Sequence, residues 1–289
     1  MKIFVAGSTG AIGRLLLPKL VQAGHKVIGM THNKSNKDAI QQMGARAIIA
    51  DAFDRERMIS AIGEVQPEVV IHQLTSLSNW NLADNARIRI EGTRNLVDAM
   101  LAAGVTRIIA QSISWAYEPG KMPASEDVSM DVGSPMPRKS TIDGVIALEQ
   151  AVAEIPHHVI LRYGMLYGQG TWYDHKGMMA EKVLHKGVEA TEGVTSFLHV
   201  EDAAAAALLA LDWPSGPVNI VDDEPAAGVD WLPVYANALK APKPEFKPGR
   251  NRGERGASNA LARKVYGWVP LYPTWRSGFA QDLNPDNYS

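Results

Sequence analysis

The sequence predicts an α/β protein, a doubly wound parallel sheet joined to a smaller and less regular region. Three observations carry this reading. The chain opens on an apolar strand, a glycine turn and a helix. Apolar runs then alternate with helical patterns through the first half, the mark of strand–helix–strand units in a parallel sheet. Beyond Gly170 that alternation is lost, and residues 229–289 are rich in Pro, Trp and Gly.

Ile3 to Ala6 reads as the first strand and Arg14 to Val21 as the first helix. Lys26 to Met30 is the second strand, Lys37 to Met43 a helix, and Ala47 to Ala50 the third strand. Arg55 to Ile62 is helical and Val69 to His72 is a strand. Ile88 to Ala103 is a longer helix closed by Gly104, followed by a fifth strand at Arg107 to Gln111. Gly24, Gly44 and Gly104 each stand just past a helix, where a left-handed cap suits glycine. The Pro- and Gly-rich stretch from Glu118 to Pro137 is a long loop after the fifth strand, at the end of such sheets where ligands bind. A helix follows from Thr141 to Ala153 and a strand from Val159 to Arg162. Trp172 to Val194 reads as helical and then irregular. Asp202 to Leu211 is an Ala/Leu-rich helix, Val218 to Val221 one more strand, and further helices lie near 231–240 and 258–266. The expected division is a sheet domain over 1–170, to which 195–225 return, and a small cap from 171–194 and 226–289.

The opening glycines stand at Gly7, Gly10 and Gly13, between a strand and a helix. That context is what a dinucleotide phosphate site requires. The first glycine permits a tight turn, the second lets the backbone approach a pyrophosphate, and the third lets helix and strand pack closely. The helix N-terminus supplies unpaired N–H groups to the phosphates.

Composition narrows the function. With 289 residues, 46% of them hydrophobic, the chain can bury a large core. A net charge of −2 supplies no basic field for nucleic acid or membrane. The chain has no cysteine, so disulfides, thiol nucleophiles and Cys-ligated metals are excluded. No apolar run reaches transmembrane length and the first residues lead straight into a strand, so a cytoplasmic protein is expected.

Further motifs follow in order: Asp51 after the third strand, Glu91-Gly-Thr-Arg-Asn-Leu96, Leu161-Arg-Tyr-Gly-Met-Leu-Tyr-Gly168, Phe197-Leu-His-Val-Glu-Asp202, Val218-Asn-Ile-Val221 and Tyr266-Gly-Trp268. With the glycine turn, their order and spacing resemble the extended short-chain dehydrogenase/reductase superfamily, the epimerase/dehydratase family. The resemblance runs nearly end to end. It implies a Rossmann-type domain, a small C-terminal substrate-binding domain, and NAD(P) in an extended cleft. Carried over by position, it implies cofactor contacts from Gly7, Thr9, Gly10, Ala11, Ile12, Gly13, Arg14, His32, Asp51, Ala52, Leu74, Thr75 and Tyr163. No metal is expected, since the sequence offers no ligand set at metal-binding spacing. The fold also implies a homodimer through the helices near 88–103 and 141–153.

The second strand ends Gly29-Met-Thr31-His32-Asn33-Lys34. NAD-preferring relatives hold an acid where Thr31 stands; a 2′-phosphate wants positive charge. His32, Lys34 and Arg14 supply it, so NADP is expected ahead of NAD. Read without a ligand, His32 and Lys34 are solvated loop residues. Asp51 has two roles open to it, an adenine-side contact or the N-cap of the helix from Arg55.

Redox members of the superfamily place Tyr-x-x-x-Lys-x-x-x-Glu on a helix. The lysine lowers the tyrosine pKa and makes it a usable acid/base. Here Glu149 fits the final Glu, which puts Val145 at the Lys and Thr141 at the Tyr. Both catalytic groups are replaced. The proton-side candidates are then Tyr117, in the loop after the fifth strand, and Ser112 and Ser114, which flank the position of the family's Ser/Thr. Tyr117-Glu-Pro-Gly-Lys121 repeats the spacing, but Pro119 and Gly120 oppose the helix that would stack the pair.

Met165 stands where nucleotide-sugar relatives use Asn, which weakens a sugar-nucleotide substrate. Trp80, Trp115, Tyr117, Trp172 and Tyr173 fall on segments expected to border the cleft, pointing to an apolar or aromatic substrate, or else to loop packing. Asp174-His175 offers an acid/base pair without a third metal ligand. His199 with Glu201-Asp202 reads as a strand end and helix cap; Lys243 to Arg255 is a basic stretch interrupted by Glu245 and Glu254, either a contact for an anionic substrate or a solvated face. The expected function is an NADP-dependent oxidoreductase on a small carbonyl or hydroxyl compound. The alternatives are an NADP(H)-sensing regulator without catalysis and a non-redox lyase or isomerase that retains the cofactor.

Overall fold

The computed structural model describes residues 1–76 and 82–283. The chain forms two compact units. The first is Met1–Ser112, Val132–Leu161 and Ala204–Pro217; the second is Ile113–Asp131, Arg162–Ala203 and Val218 onward.

The elements begin β1 (Lys2–Ala6), α1 (Gly13–Gln22), β2 (Lys26–Thr31), α2 (Lys37–Gln42), β3 (Arg46–Ile49), α3 (Arg55–Val65) and β4 (Val69–His72). Then come α4 (Leu82–Arg87), a π-helical turn (Ile88–Gly92), α5 (Thr93–Ala102), β5 (Arg107–Ile113), α6 (Arg138–Val152), β6 (His157–Tyr163) and β7 (Met165–Tyr167). The rest are α7 (Met178–Leu184), β8 (Val194–Thr195), β9 (Phe197–His199), α8 (Val200–Leu209), β10 (Gly216–Ile220), β11 (Ala226–Ala227), α9 (Gly228–Ala238), α10 (Ala260–Lys264) and α11 (Trp275–Asp282). Seven strands form one sheet in the order β10-β6-β5-β4-β1-β2-β3. The pairings from β3 through β2, β1 and β4 to β5 are parallel, with Val5 opposite both Gly29 and Ile71. This is the doubly wound sheet the alternation predicts. The chain leaves β1 toward β2 and β3, then returns to β4 on the other side of β1. That reversal makes a switch point at the carboxyl ends of β1 and β4, where ligands bind in such sheets.

Successive strand residues point to opposite faces. Phe4, Ala6, Met30, Val70, Ile108 and Ala110 pack with Met58 and Ile62 of α3, Leu96 and Met100 of α5, and Leu148 and Val152 of α6. The other face takes α1 and α2: a Cβ on Gly29 of β2 would stand 2.9 Å from Ile40 and 3.1 Å from Leu17. Burial on both faces explains why the strands read as continuous apolar runs. Each large apolar side chain so enclosed contributes roughly 1.5–3 kcal/mol.

The second unit is built on aromatics. Phe197 of β9 lies 5.1 Å from Trp231, 5.4 Å from Tyr173 and 5.3 Å from Phe279, centroid to centroid and edge to face. Tyr235 and Trp275 complete this core. Tyr173 is therefore core packing, not cleft lining, and Trp172 packs against the same cluster. Trp115 is half-buried, and Trp80 lies outside the described residues.

Several boundaries differ from the sequence reading. The helix expected at Ile88 begins at Leu82 and passes through the π turn. Residues 113–131 fall in the second unit, where Tyr117 bridges Met130 and Ala124 bridges Ala257. The sequence reading has no helix at Trp275–Asp282. It forms because Thr274 accepts the Arg276 N–H and Asp222 accepts the Trp275 N–H at 2.8 Å. Gly278 also leaves room for the Tyr167 ring, which a Cβ would overlap.

Candidate functional site

The glycine turn builds an open cradle in the first unit. Gly7 has φ +89°, and a Cβ there would overlap the Gln73 carbonyl. A Cβ on Gly13 would overlap the Gly7 carbonyl. Gly10 is different: its Cβ would meet only the Gly7 oxygen, at 3.5 Å, and otherwise open space. The turn is held by the Gly10 N–H on the Gly7 carbonyl (3.2 Å) and by buried Ser8, whose Oγ donates to the Met30 carbonyl at 2.7 Å. The α1 ladder starts with the Arg14 and Leu16 amides on the Gly10 and Ile12 carbonyls. The amides of Ala11, Ile12 and Gly13 find no backbone acceptor among the described residues. Unpaired first-turn amides beside an uncovered glycine fit the pyrophosphate of a dinucleotide.

At the end of β2, Thr31 is buried and its Oγ1 accepts the Asn33 N–H at 3.2 Å. The position therefore carries a neutral hydroxyl tied into its own turn, with His32 and Lys34 exposed beside it and Arg14 half-buried. Asp51 is exposed and accepts the Phe53 N–H at 2.9 Å. The cap of α3 is instead Asp54, which accepts the Arg57 N–H, so Asp51 is not that helix's N-cap. Ala52 is buried and its carbonyl accepts from Asn95. Leu74 is fixed at both ends, its N–H on His72 Nδ1 (3.1 Å) and its carbonyl on Gln111 Nε2 (2.8 Å); Thr75 is exposed.

On the other side of β4, Thr141 and Val145 stand on the inner face of α6, 7% and 1% exposed. Gly144 between them lets α6 approach α4; its Cβ would stand 3.3 Å from Ala86 Cα. Ser112 Oγ donates to Glu149 Oε1 at 2.6 Å. That bond ties β5 to α6 and engages the serine hydroxyl.

The second unit holds the remaining candidates. Tyr117 is 1% exposed. Its hydroxyl donates to Asn219 Oδ1 at 2.6 Å and accepts from Arg162 Nη1 at 3.0 Å. Burial, the largest influence on it, pushes its pKa up to about 12. This corrects the sequence reading of Tyr117 as an acid/base: the hydroxyl is enclosed, occupied and hard to ionise. Ser114 is buried, its N–H donates to the Tyr163 carbonyl, and its hydroxyl has no partner among the described residues. Tyr163 is buried, with its hydroxyl 3.4 Å from the Ala203 carbonyl.

Other sequence candidates are structural. Asp174 meets His175 Nδ1 at 2.5 Å and also closes a turn on the Gly170 N–H. His199 lies 2.7 Å from Asp282 and stacks on Tyr272 at 3.7 Å, while Asp202 accepts the Leu271 and Tyr272 amides. In the basic stretch Arg252 grips the buried Asp131 carboxylate through two nitrogens, and Arg255 donates to the Glu118 and Met122 carbonyls. These two arginines tie the stretch to the second unit, while Lys243, Lys247, Arg250 and Arg252 stay exposed, as a mostly solvated face requires. Among the described residues no three His, Asp or Glu side chains are arranged to hold a metal ion, and no helix is long and apolar enough to cross a membrane.

Sequence reading passed over two residues of the first unit, His72 and Arg89. Both are buried, at 0% and 3% exposure. A signal existed for Arg89: it interrupts a stripe of Ala86, Thr93 and Leu96 at helical spacing, all buried.

The model of the NAD dependent epimerase/dehydratase family matches residues 3–221. A 3-diazoavenalumate denitrifying reductase from a Streptomyces species is 40% identical, aligned over 98% of this chain and 100% of that protein. Among solved structures, the UDP-glucose 4-epimerase of Thermotoga maritima with UDP-glucose is 23% identical with a TM-score of 0.78, covering 100% of this chain and 99% of that one. The UDP-glucose 4-epimerase of Thermus thermophilus in complex with NAD is 25% identical with a TM-score of 0.75, covering 98% of both chains. The order of the motifs, the glycine cradle at the β1–β4 switch point and these likenesses agree: the chain belongs to the NAD-dependent epimerase/dehydratase family.

Proposed function

We propose that this protein is an NADP-dependent reductase that replaces the diazo group of an aromatic carboxylate with hydrogen. One observation carries the reading. The glycine turn is open at Gly10, yet α6 carries buried Thr141 and Val145 at the two positions where the family resemblance puts a proton-transferring Tyr and Lys. A carbonyl acceptor needs a proton at oxygen as hydride arrives at carbon. Neither Thr141 nor Val145 supplies one, and the Tyr117 hydroxyl is engaged. That argues against the carbonyl substrate expected from the sequence.

A diazonium carbon has no such need. It accepts hydride, a C–H bond forms, the C–N bond breaks with its electron pair leaving on nitrogen, and dinitrogen departs. Charge balances without protonation of the reacting centre. The relative aligned over its full length and named 3-diazoavenalumate denitrifying reductase supports this class of acceptor. A nicotinamide held by the cradle supplies the hydride. The residues that hold it are Gly7, Gly10, Gly13 and the first amides of α1. His32, Lys34 and Arg14 favour the 2′-phosphate, with no acid at Thr31 to repel it. Ser112 and Tyr117 hold the scaffold.

The test is to mix the protein with NADPH or NADH and a diazotised aminocinnamate. We expect cofactor oxidation matched by dinitrogen release, with deuterium from labelled cofactor on the product carbon and NADPH preferred. Tight NADPH binding with no oxidation would overturn the reading and favour a cofactor-sensing role.

A further inference from the structure

Arg89 carries a positive charge into the interior of the first unit, and no described residue offers an acceptor to meet it. The residue is 3% exposed and its Nε has no hydrogen-bond partner. No described residue places an acceptor on its guanidinium. The nearby acids of the same helical segment are engaged elsewhere, Glu91 with Arg87 and Asp98 with Arg55 and Arg94. Burial alone pushes the Arg89 pKa down to about 10, with no carboxylate holding it up.

Position adds a second argument. Arg89 belongs to the π turn Ile88–Gly92, and such turns break helical register, frequently at functional sites. It acts electrostatically on His72, the last residue of β4. His72 gives it no acceptor, because Nδ1 takes the Leu74 N–H and Nε2 faces Thr93 Oγ1 at 2.8 Å. The next residue, Gln73, lies against Gly7 of the cradle. Arg89 is thus charged, buried and unpaired beside the switch point of the sheet.

We infer that Arg89 is a binding residue for an oxyanion, a carboxylate or phosphate, of the ligand that occupies the carboxyl ends of β1 and β4. A guanidinium offers a planar fork of donors that matches such a group, and an enclosed one without an acceptor is costly until a ligand supplies it. The inference stands on the buried guanidinium and the fold, and not on the diazo chemistry.

The two sources of the oxyanion are separable with Arg89→Met and Arg89→Lys. Tryptophan fluorescence titrations would use NADP+ as one probe, and cinnamate against cinnamamide as the other. In Arg89→Met we expect a melting temperature at or above that of the wild type, since an unpaired buried charge is removed. We also expect binding weaker by roughly ten-fold or more for one probe. Weakened NADP+ binding assigns the oxyanion to the dinucleotide; weakened cinnamate binding, with cinnamamide unchanged, assigns it to a substrate carboxylate. Arg89→Lys, which keeps charge but loses the fork, should fall between. A variant that unfolds or melts well below the wild type would overturn the inference and make Arg89 structural. Unchanged affinity for both probes, or a wild type that binds neither, would also overturn it.

Discussion

His72 is an imidazole folded in its neutral form, and acid should unfold the protein partly through it. Burial first, and the Arg89 charge second, lower its pKa from 6.5 to about 4. The geometry agrees, because a neutral ring accepting from Leu74 and donating to Thr93 is fully satisfied, and a second ring proton would have no acceptor. The folded pKa lies below the unfolded one. The unfolded chain therefore takes up a proton first as pH falls. The stability is fully present above pH 6.5 and is lost as pH falls through 6.5 to about 4. A gap of about 2.5 units at about 1.4 kcal/mol per unit is roughly 3 kcal/mol. Urea unfolding of the wild type and His72→Gln, at several pH values from about 7 to 4, isolates this contribution because other acid-labile groups cancel in the difference. The stability gap between the two proteins should shrink by about 3 kcal/mol across that range. In Arg89→Met the folded pKa should rise, so the loss still begins near pH 6.5 but spans a smaller gap. Parallel curves for wild type and His72→Gln would refute the assignment of a neutral, acid-sensitive His72.

Further outcomes follow from single positions. Gly10→Val should keep the melting temperature within about 2 °C but weaken NADP+ binding by roughly ten-fold or more, since its side chain enters open space that the cofactor needs. Tyr117→Phe should leave turnover unchanged while destabilising the protein by about 1–3 kcal/mol in urea, because Asn219 and Arg162 lose a buried partner. Thr31→Asp should move the NADPH/NADH binding ratio toward NADH by about ten-fold or more through repulsion of the 2′-phosphate. Val145→Lys should lower the melting temperature and restore no carbonyl reduction, because it buries an ammonium at a packed apolar position whose nearest acid, Glu149, is already bonded to Ser112, and Thr141 supplies no acid/base hydroxyl.

The sheet was legible because its residues are enclosed on both faces. Ile3 to Ala6 and Val69 to His72 can be read from apolar runs alone, and the glycine turn announces its own geometry. The aromatics were not legible. Tyr173 and Trp172 look the same in sequence whether they line a cleft or fill a core, and only the contact with Phe197 decides. Tyr117 failed for a related reason. Its partners, Asn219 and Arg162, lie 102 and 45 residues away in the chain, so nothing local shows that the hydroxyl is occupied. The short α11 was invisible because its start depends on Asp222, 53 residues earlier. Arg89 was visible as a charge on an apolar stripe, but its lack of a partner is a property of the fold.

What this chain keeps and replaces on α6 sorts by physical role. Glu149 remains and is hydrogen-bonded to Ser112, so the helix is still fastened to the end of β5. Thr141 and Val145, on the same face and buried, carry no group that can exchange a proton near neutral pH. A helix that had merely decayed would not be expected to keep its tie to the sheet while the glycine cradle also stayed open. The pattern suits selection for holding a cofactor without proton transfer. The unpaired cation at Arg89 fits the same account: it is a buried charge that α6 does not supply at Thr141 or Val145. On the proposed reading, charge in this site would hold a ligand's oxyanion, and the reaction would be one in which the leaving group, not a protein acid, takes the electrons away.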